Sequence, residues 1–230
     1  MHEAVRELIL IGGTALLYAP EVNEAQRQAA FDSILYAQLL ANKKVGSRFA
    51  DPEGWHAAYR HVYRELGWLK LASTHDQKFL GKTRQATRTQ PLEAWLRMRS
   101  IQHEAVLAQV TSSLSRSDPG FRHLLKFAAQ DDVEHSTVVV EIGLLKAGPT
   151  LDLCSIALQT SSRLCGTSLQ ALLSDHVLHG EAVFNGFSLV LDNARFDRQR
   201  AQLQALMADK DQQGAYRFDL REPTTGDDHE

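Results

Sequence analysis

Apolar positions recur at helical spacing through the first 130 residues and change to β-branched runs after that. The clearest helix starts at Asp51-Pro52-Glu53. Asp51 can cap it, Pro52 suits the first helical position, and Glu53 adds negative charge to the first turn. Trp55, Tyr59, Val62, Tyr63 and Leu66 then fall on one face, and Gly67 closes it. His56, Arg60, Arg64 and Glu65 lie off that stripe and are expected in water.

Upstream, residues 22–43 lack Gly and Pro and place Phe31, Ile34, Leu35 and Leu39 on one face, with Gly46 as the stop. Pro91 opens a further helix to about Ser115, with a break near Gln102–His103 where the stripe drifts. Asp118-Pro119 opens another, with Phe121, Leu124, Leu125 and Ala128 on its apolar side and a stop by Asp131-Asp132. Trp68 to Ser73 reads as a short strand or extended link.

From residue 136 the period changes. Ser136–Leu145 is β-branched and continuous, as in a strand covered on both faces. Gly148-Pro149 marks a turn into Thr150–Thr160, where Cys154, Ile156 and Leu158 share a face, so the two strands form a hairpin. Residues 163–174 fit a strand or a short helix equally. Val177–Leu191 is a long strand with room for bends at Gly180 and Gly186. Asn193 caps a last helix with Phe196, Leu203, Leu206 and Met207 towards the core.

Helices first, strands next and one helix last give an α+β fold: a helical N-terminal half packed on a C-terminal antiparallel sheet, with a closing C-terminal helix. The expected organisation is one compact domain over 1–220, helical over 1–132, sheet over 133–192, with the closing helix at 193–210. The acidic stretch 221–230 is expected to be disordered.

Composition narrows the function classes. Hydrophobic residues are 43% and charged residues 23% of 230, which excludes a wholly disordered chain, a collagen-like repeat and a multi-span membrane protein. A net charge of -3 gives no global electrostatic case for sequence-specific nucleic-acid binding. The apolar run Leu8–Ala19 is too short to span a bilayer, and Glu3 and Glu7 precede it where a signal peptide carries positive charge. It reads as a buried first segment bent at Gly12-Gly13. A cytoplasmic location is the default, and export without a signal stays open.

Candidate chemistry is sparse. Glu53-x-x-His56 and Asp132-x-x-His135 have the carboxylate–histidine spacing of di-iron bundles, but neither sits mid-bundle with further carboxylates. His176, His179 and Glu181 lie in an apparent strand, where positions three apart point to opposite faces. No metal or other cofactor is therefore assigned. Cys154 and Cys165 have no zinc-type neighbourhood and read as buried thiols. Phosphate-binding glycine loops and the GxSxG elbow are absent.

The one outward-facing feature is basic. Lys78, Lys82, Arg84 and Arg88 lie in KFLGKTRQATRTQP, and residues 76–100 carry six basic against two acidic side chains. An exposed loop of this kind is either simply solvated or contacts a protein partner or an anionic surface. The leading expectation is a non-catalytic interaction or effector-type protein that binds through these four residues. One rival is a hydrolase or transferase built on Cys165 with His176 or His179. Another is a membrane-active protein using the Ser136–Thr160 hairpin, whose strands carry Glu141, Lys146 and Asp152.

Overall fold

The first apolar run folds back on itself. In the computed structural model, which describes residues 7–80, 90–99, 103–114, 119–132, 136–160 and 178–220, strands β1 (Glu7–Ile11) and β2 (Thr14–Tyr18) pair antiparallel across Gly12-Gly13. Gly12 has φ +52°, a conformation that L side chains rarely adopt. The turn also leaves no room: a Cβ at Gly12 would meet the Gln38 amide, and one at Gly13 would meet the Arg48 guanidinium.

Helix α1 (Glu24–Val45) follows, capped by the Asn23 side chain, whose backbone N–H donates in return to the Gln26 side chain, and Gly46 ends it. Helix α2 (Pro52–Glu65) begins as its sequence predicts, with Asp51 accepting from the Gly54 N–H at 2.9 Å. Strand β3 spans Trp68–Leu80. Helices α3 (Gln90–Arg99), α4 (His103–Ser113) and α5 (Pro119–Ala128) come next, with a break between α3 and α4 where the apolar stripe drifts. The three-residue β4 (Ala129–Asp131) precedes β5 (Ser136–Lys146), β6 (Thr150–Thr160) and β7 (Leu178–Leu191). The chain closes with α6 (Asn193–Phe196), α7 (Arg200–Gly214) and β8 (Arg217–Asp219).

Across the sheet the order is β3–β7–β6–β5–β2–β1–β8, and β4 pairs the first residues of β5. The β2–β5 pairing is parallel and the others are antiparallel. A parallel pair needs a long crossover, and here α1 to α5 lie between its two strands.

The α+β class holds, with a sheet wider than residues 133–192. It takes β1, β2 and β3 from the N-terminal part and β8 from beyond the last helix, and its one parallel pairing makes it mixed. Strand β3 continues past Ser73 through Lys78 to Leu80, so the basic stretch begins inside a strand. The closing helix is divided in two, and its cap is Asp192 rather than Asn193. Leu206 is 41% exposed, whereas Phe196, Leu203 and Met207 are buried.

Helices cover both faces of the sheet. On one face Ile9, Ile11, Leu16, Tyr18, Leu153, Phe187 and Leu189 pack against α1, α2, α6 and α7. On the other, Leu8, Leu10, Val138, Val140, Ile142, Cys154, Ile156 and Phe184 pack against α3, α4 and α5. This three-layer arrangement explains why β1, β2 and β5 are apolar at successive positions. Gly186 pairs with Thr74 and Cys154 beside the register shift at Thr74–Gln77, and the Trp95 ring lies where its Cβ would be. A second irregularity falls near Gly180, opposite Leu158.

Candidate functional site

Strand parity aims Glu141 at the face covered by α1 and α2, together with Val139 and Leu145. There the carboxylate is buried, and its Oε1 accepts from the Thr14 hydroxyl at 2.7 Å and the Tyr59 hydroxyl at 2.8 Å. Gln38 Nε2 donates to Thr14 Oγ1 at 2.8 Å and to the Ile11 carbonyl at 3.1 Å, while the Tyr63 hydroxyl donates to that of Tyr59 at 2.8 Å. One chain of donors thus runs from α1 through β2 to the acid, and another arrives from α2. Burial pushes the Glu141 carboxyl up from its ordinary value of 4.5, and Thr14, Tyr59 and the Arg48 charge hold it back. Burial, then the Glu141 charge, lift both phenols well above the usual tyrosine range.

A pocket of about 360 Å3 lies beside this network, between α1, α2 and the loop joining them. Leu35, Leu39, Phe49, Trp55 and Phe127 give it apolar walls, and it opens past Asn42, Gly46 and Ser47, which are exposed. Arg48 is buried at its side, with the guanidinium 5.4 Å from the Phe49 ring centre and 5.5 Å from that of Trp55, and it donates to the Phe127 carbonyl. Burial lowers its pKa to about 10, which leaves it charged at neutral pH.

Next to Trp55, His56 is 3% exposed, where the helical stripe places it in water. Its Nε2 lies 3.0 Å from the Ser155 hydroxyl of β6. The reason is geometric: α2 packs on the sheet, and the flank of its apolar stripe reaches Ser155 of β6.

A second acid, Asp152, is buried against the opposite helical layer. Lys146 Nζ lies 2.6 Å and Arg99 Nε 3.4 Å from its oxygens, and Ser188 donates to it. Arg99 also stacks 4.2 Å over Trp95. Each charge here has an opposite partner, so the cluster ties α3 to β5, β6 and β7. The Cys154 thiol is buried, donates to the Ile142 carbonyl at 3.3 Å, and is pushed well above the ordinary thiol value by burial. That environment suppresses the thiolate. Among the described residues no three His, Cys, Asp or Glu side chains form a metal-ion cluster.

The third feature is an edge. Strand β3 is last in the sheet order and pairs β7 on its inner side. Leu69 is 44% and Leu71 60% exposed. A groove of about 430 Å3 beside them is lined by Arg60, His61, Arg64, Lys70 and Arg195, with Trp68, Phe187 and Leu189 among its apolar walls.

No family model and no curated protein matches the chain. Several solved structures are distantly similar, among them the following two. A chain described as a delta-endotoxin covers 77% of this chain and 79% of its own length, at 9% identity and a TM-score of 0.40. The structure of the Evf virulence factor covers 86% of this chain and 82% of its own, at 8% identity and a TM-score of 0.37. At these values neither likeness enters the functional argument.

Of the four basic residues expected to meet a partner, Lys78 lies in β3. Lys82, Arg84 and Arg88 lie outside the described residues, as do Cys165 and His176, and His179 lies in β7. The hairpin β5–β6 is interior, with β2 and β4 on one side, β7 on the other and both faces covered. No helix among the described residues is long and apolar enough to cross a membrane. Sequence reasoning missed Arg48, Tyr59 and Glu141 as one site, because their juxtaposition depends on a parallel strand pair. It missed the β3 edge because Thr74–Leu80 lacks alternating apolar positions.

Proposed function

We propose that this chain is a non-catalytic, effector-type interaction protein that binds an extended acidic segment of a partner protein along β3. The observation carrying this reading is the length of that edge: among the described residues β3 has 13 residues and is last in the sheet order, while β8 at the other end has three. Natural sheets blunt their edges by shortness, bulges or charge, because an open edge offers unpaired N–H and C=O groups to any passing strand. Here the register shifts at Lys70–Ala72 and Thr74–Gln77 interrupt the edge without removing it, and Leu69 and Leu71 offer apolar contacts.

Charge selects the occupant. Arg60, Arg64, Lys70 and Arg195 line the adjacent groove, and Lys78, Lys82, Arg84 and Arg88 continue the basic character along the chain. A strand added there supplies affinity through main-chain hydrogen bonds, and its acidic side chains supply selectivity. A second copy of the same edge would set like charges opposite one another. The buried acids Glu141 and Asp152 are occupied by structural partners, which favours a binding role over catalysis.

The test uses fluorescent strand peptides of alternating valine and glutamate, or valine and lysine, with fluorescence anisotropy as the readout. The acidic peptide should bind, weaken with added salt as exposed charges are screened, and lose affinity in K70E and in the triple variant K82E/R84E/R88E. Equal binding of both peptides, or binding unchanged in both variants, overturns the proposal. Binding of anionic phosphatidylserine vesicles without binding of the acidic peptide would overturn it in favour of a membrane surface.

A further inference from the structure

We infer that the pocket between α1, α2 and their connecting loop binds a small aromatic carboxylate, with Arg48 as its anchor. This site is independent of the β3 edge.

The anchor is built rather than incidental. The Arg48 guanidinium lies near the Phe49 and Trp55 rings, donates to the Phe127 carbonyl, and is seated against Gly13, where any larger residue would displace it. A guanidinium carries five donors in a planar fork. Among the described residues one acceptor, the Phe127 carbonyl, takes a hydrogen bond from it, and Glu141 acts on it through the field without one. A buried cation with so few acceptors favours an anion that can fill its fork, and a planar carboxylate matches that fork in two parallel bonds.

The walls choose the rest of the ligand. Phe49, Trp55, Phe127 and Tyr216 present ring surface, and Leu35 and Leu39 present aliphatic surface. Aromatic groups pack on such rings by offset or edge contacts. The volume of about 360 Å3 sits at the small end of the range for small-molecule sites, about 300–1,000 Å3, which suits one fused or single ring system with its carboxylate. A ligand cation would meet the Arg48 charge and is rejected.

The probes are 2-naphthoate and its uncharged analogue 2-naphthamide, titrated by isothermal calorimetry and by tryptophan fluorescence, since Trp55 lines the site. Naphthoate should bind, and naphthamide should bind about tenfold to a hundredfold more weakly, as expected for loss of a charge-assisted bond to a buried group. R48M should abolish that preference. Because a buried substitution can disturb folding, L39W provides a second variant: it fills the pocket from α1, leaves the anchor in place, and should abolish binding while the circular dichroism spectrum stays native. Equal affinity for acid and amide, no detectable naphthoate binding, or unchanged binding by a folded L39W each overturn the inference.

Discussion

Replacing Tyr59 by Phe removes one oxygen at the centre of the buried network. That hydroxyl donates to Glu141 Oε1 at 2.8 Å and accepts from the Tyr63 hydroxyl at 2.8 Å. All three side chains are buried, so water cannot replace either bond. A hydrogen bond to a charged group is worth about 1.5–3 kcal/mol, and leaving the Tyr63 donor without an acceptor adds about 1–3 kcal/mol. The expected loss is therefore about 2.5–6 kcal/mol, a large part of a typical domain stability of about 5–15 kcal/mol. Tyr63→Phe removes only the outermost donor and should cost about 0.5–1.5 kcal/mol. In the double variant Y59F/Y63F no Tyr63 donor is left unpaired, so the double should cost about 1–3 kcal/mol less than the two singles together. Guanidinium denaturation at neutral pH, followed by far-ultraviolet circular dichroism, measures all three. A Y63F loss as large as that of Y59F, or strict additivity, would show that the donor chain does not run in this direction.

His56→Ala should destabilise by about 2–3 kcal/mol, because it removes a buried ring packed edge-on to Trp55 and leaves Ser155 without its partner; a denaturant midpoint unchanged from wild type would contradict this burial. Burial lifts the Glu141 carboxyl above 4.5 in the folded state, so folding favours its protonated form. Its stabilising contribution is full below that value and is lost as pH rises through the raised folded value. Wild type should therefore lose stability relative to E141Q as pH is raised from about 4 towards neutral, and a flat difference between the two would refute the assignment.

The elements that could be read from the chain share one property: their signal is local. Asp51-Pro52 with the Trp55–Tyr59–Tyr63 stripe marks α2, and the β-branched runs around Gly148 mark β5 and β6. The elements that could not be read depend on distant partners. Strands β1 and β2 are buried on both faces, so they show no alternation and read only as an apolar segment bent at Gly12-Gly13. The second half of β3, Thr74–Leu80, is polar up to Lys78 and pairs with β7. Strands β4 and β8 have three residues each, too few for any period. Helical spacing alone puts His56 in water, because it gives a helix one dry stripe. It fails here because the flank of α2 touches β6.

Glu141 shows how far such reading can reach and where it stops. The run Ser136–Leu145 is apolar at both strand parities, which requires cover on both faces. An acid inside that run therefore has no face that meets water, and its burial follows from the pattern alone. A buried carboxyl must then take up a proton or find donors, because an unpaired buried charge costs several kcal/mol. The pattern does not say which donors, since Thr14 lies 127 and Tyr59 lies 82 positions away in sequence. What selects them is topology: the crossover that makes β2 and β5 parallel neighbours sets Thr14 opposite Glu141, and the same crossover contains α2 with Tyr59 on its inner stripe. The buried acid and the parallel pair thus specify one another, since shifting β2 by one residue would turn Thr14 to the other face and leave Glu141 without its β-strand donor.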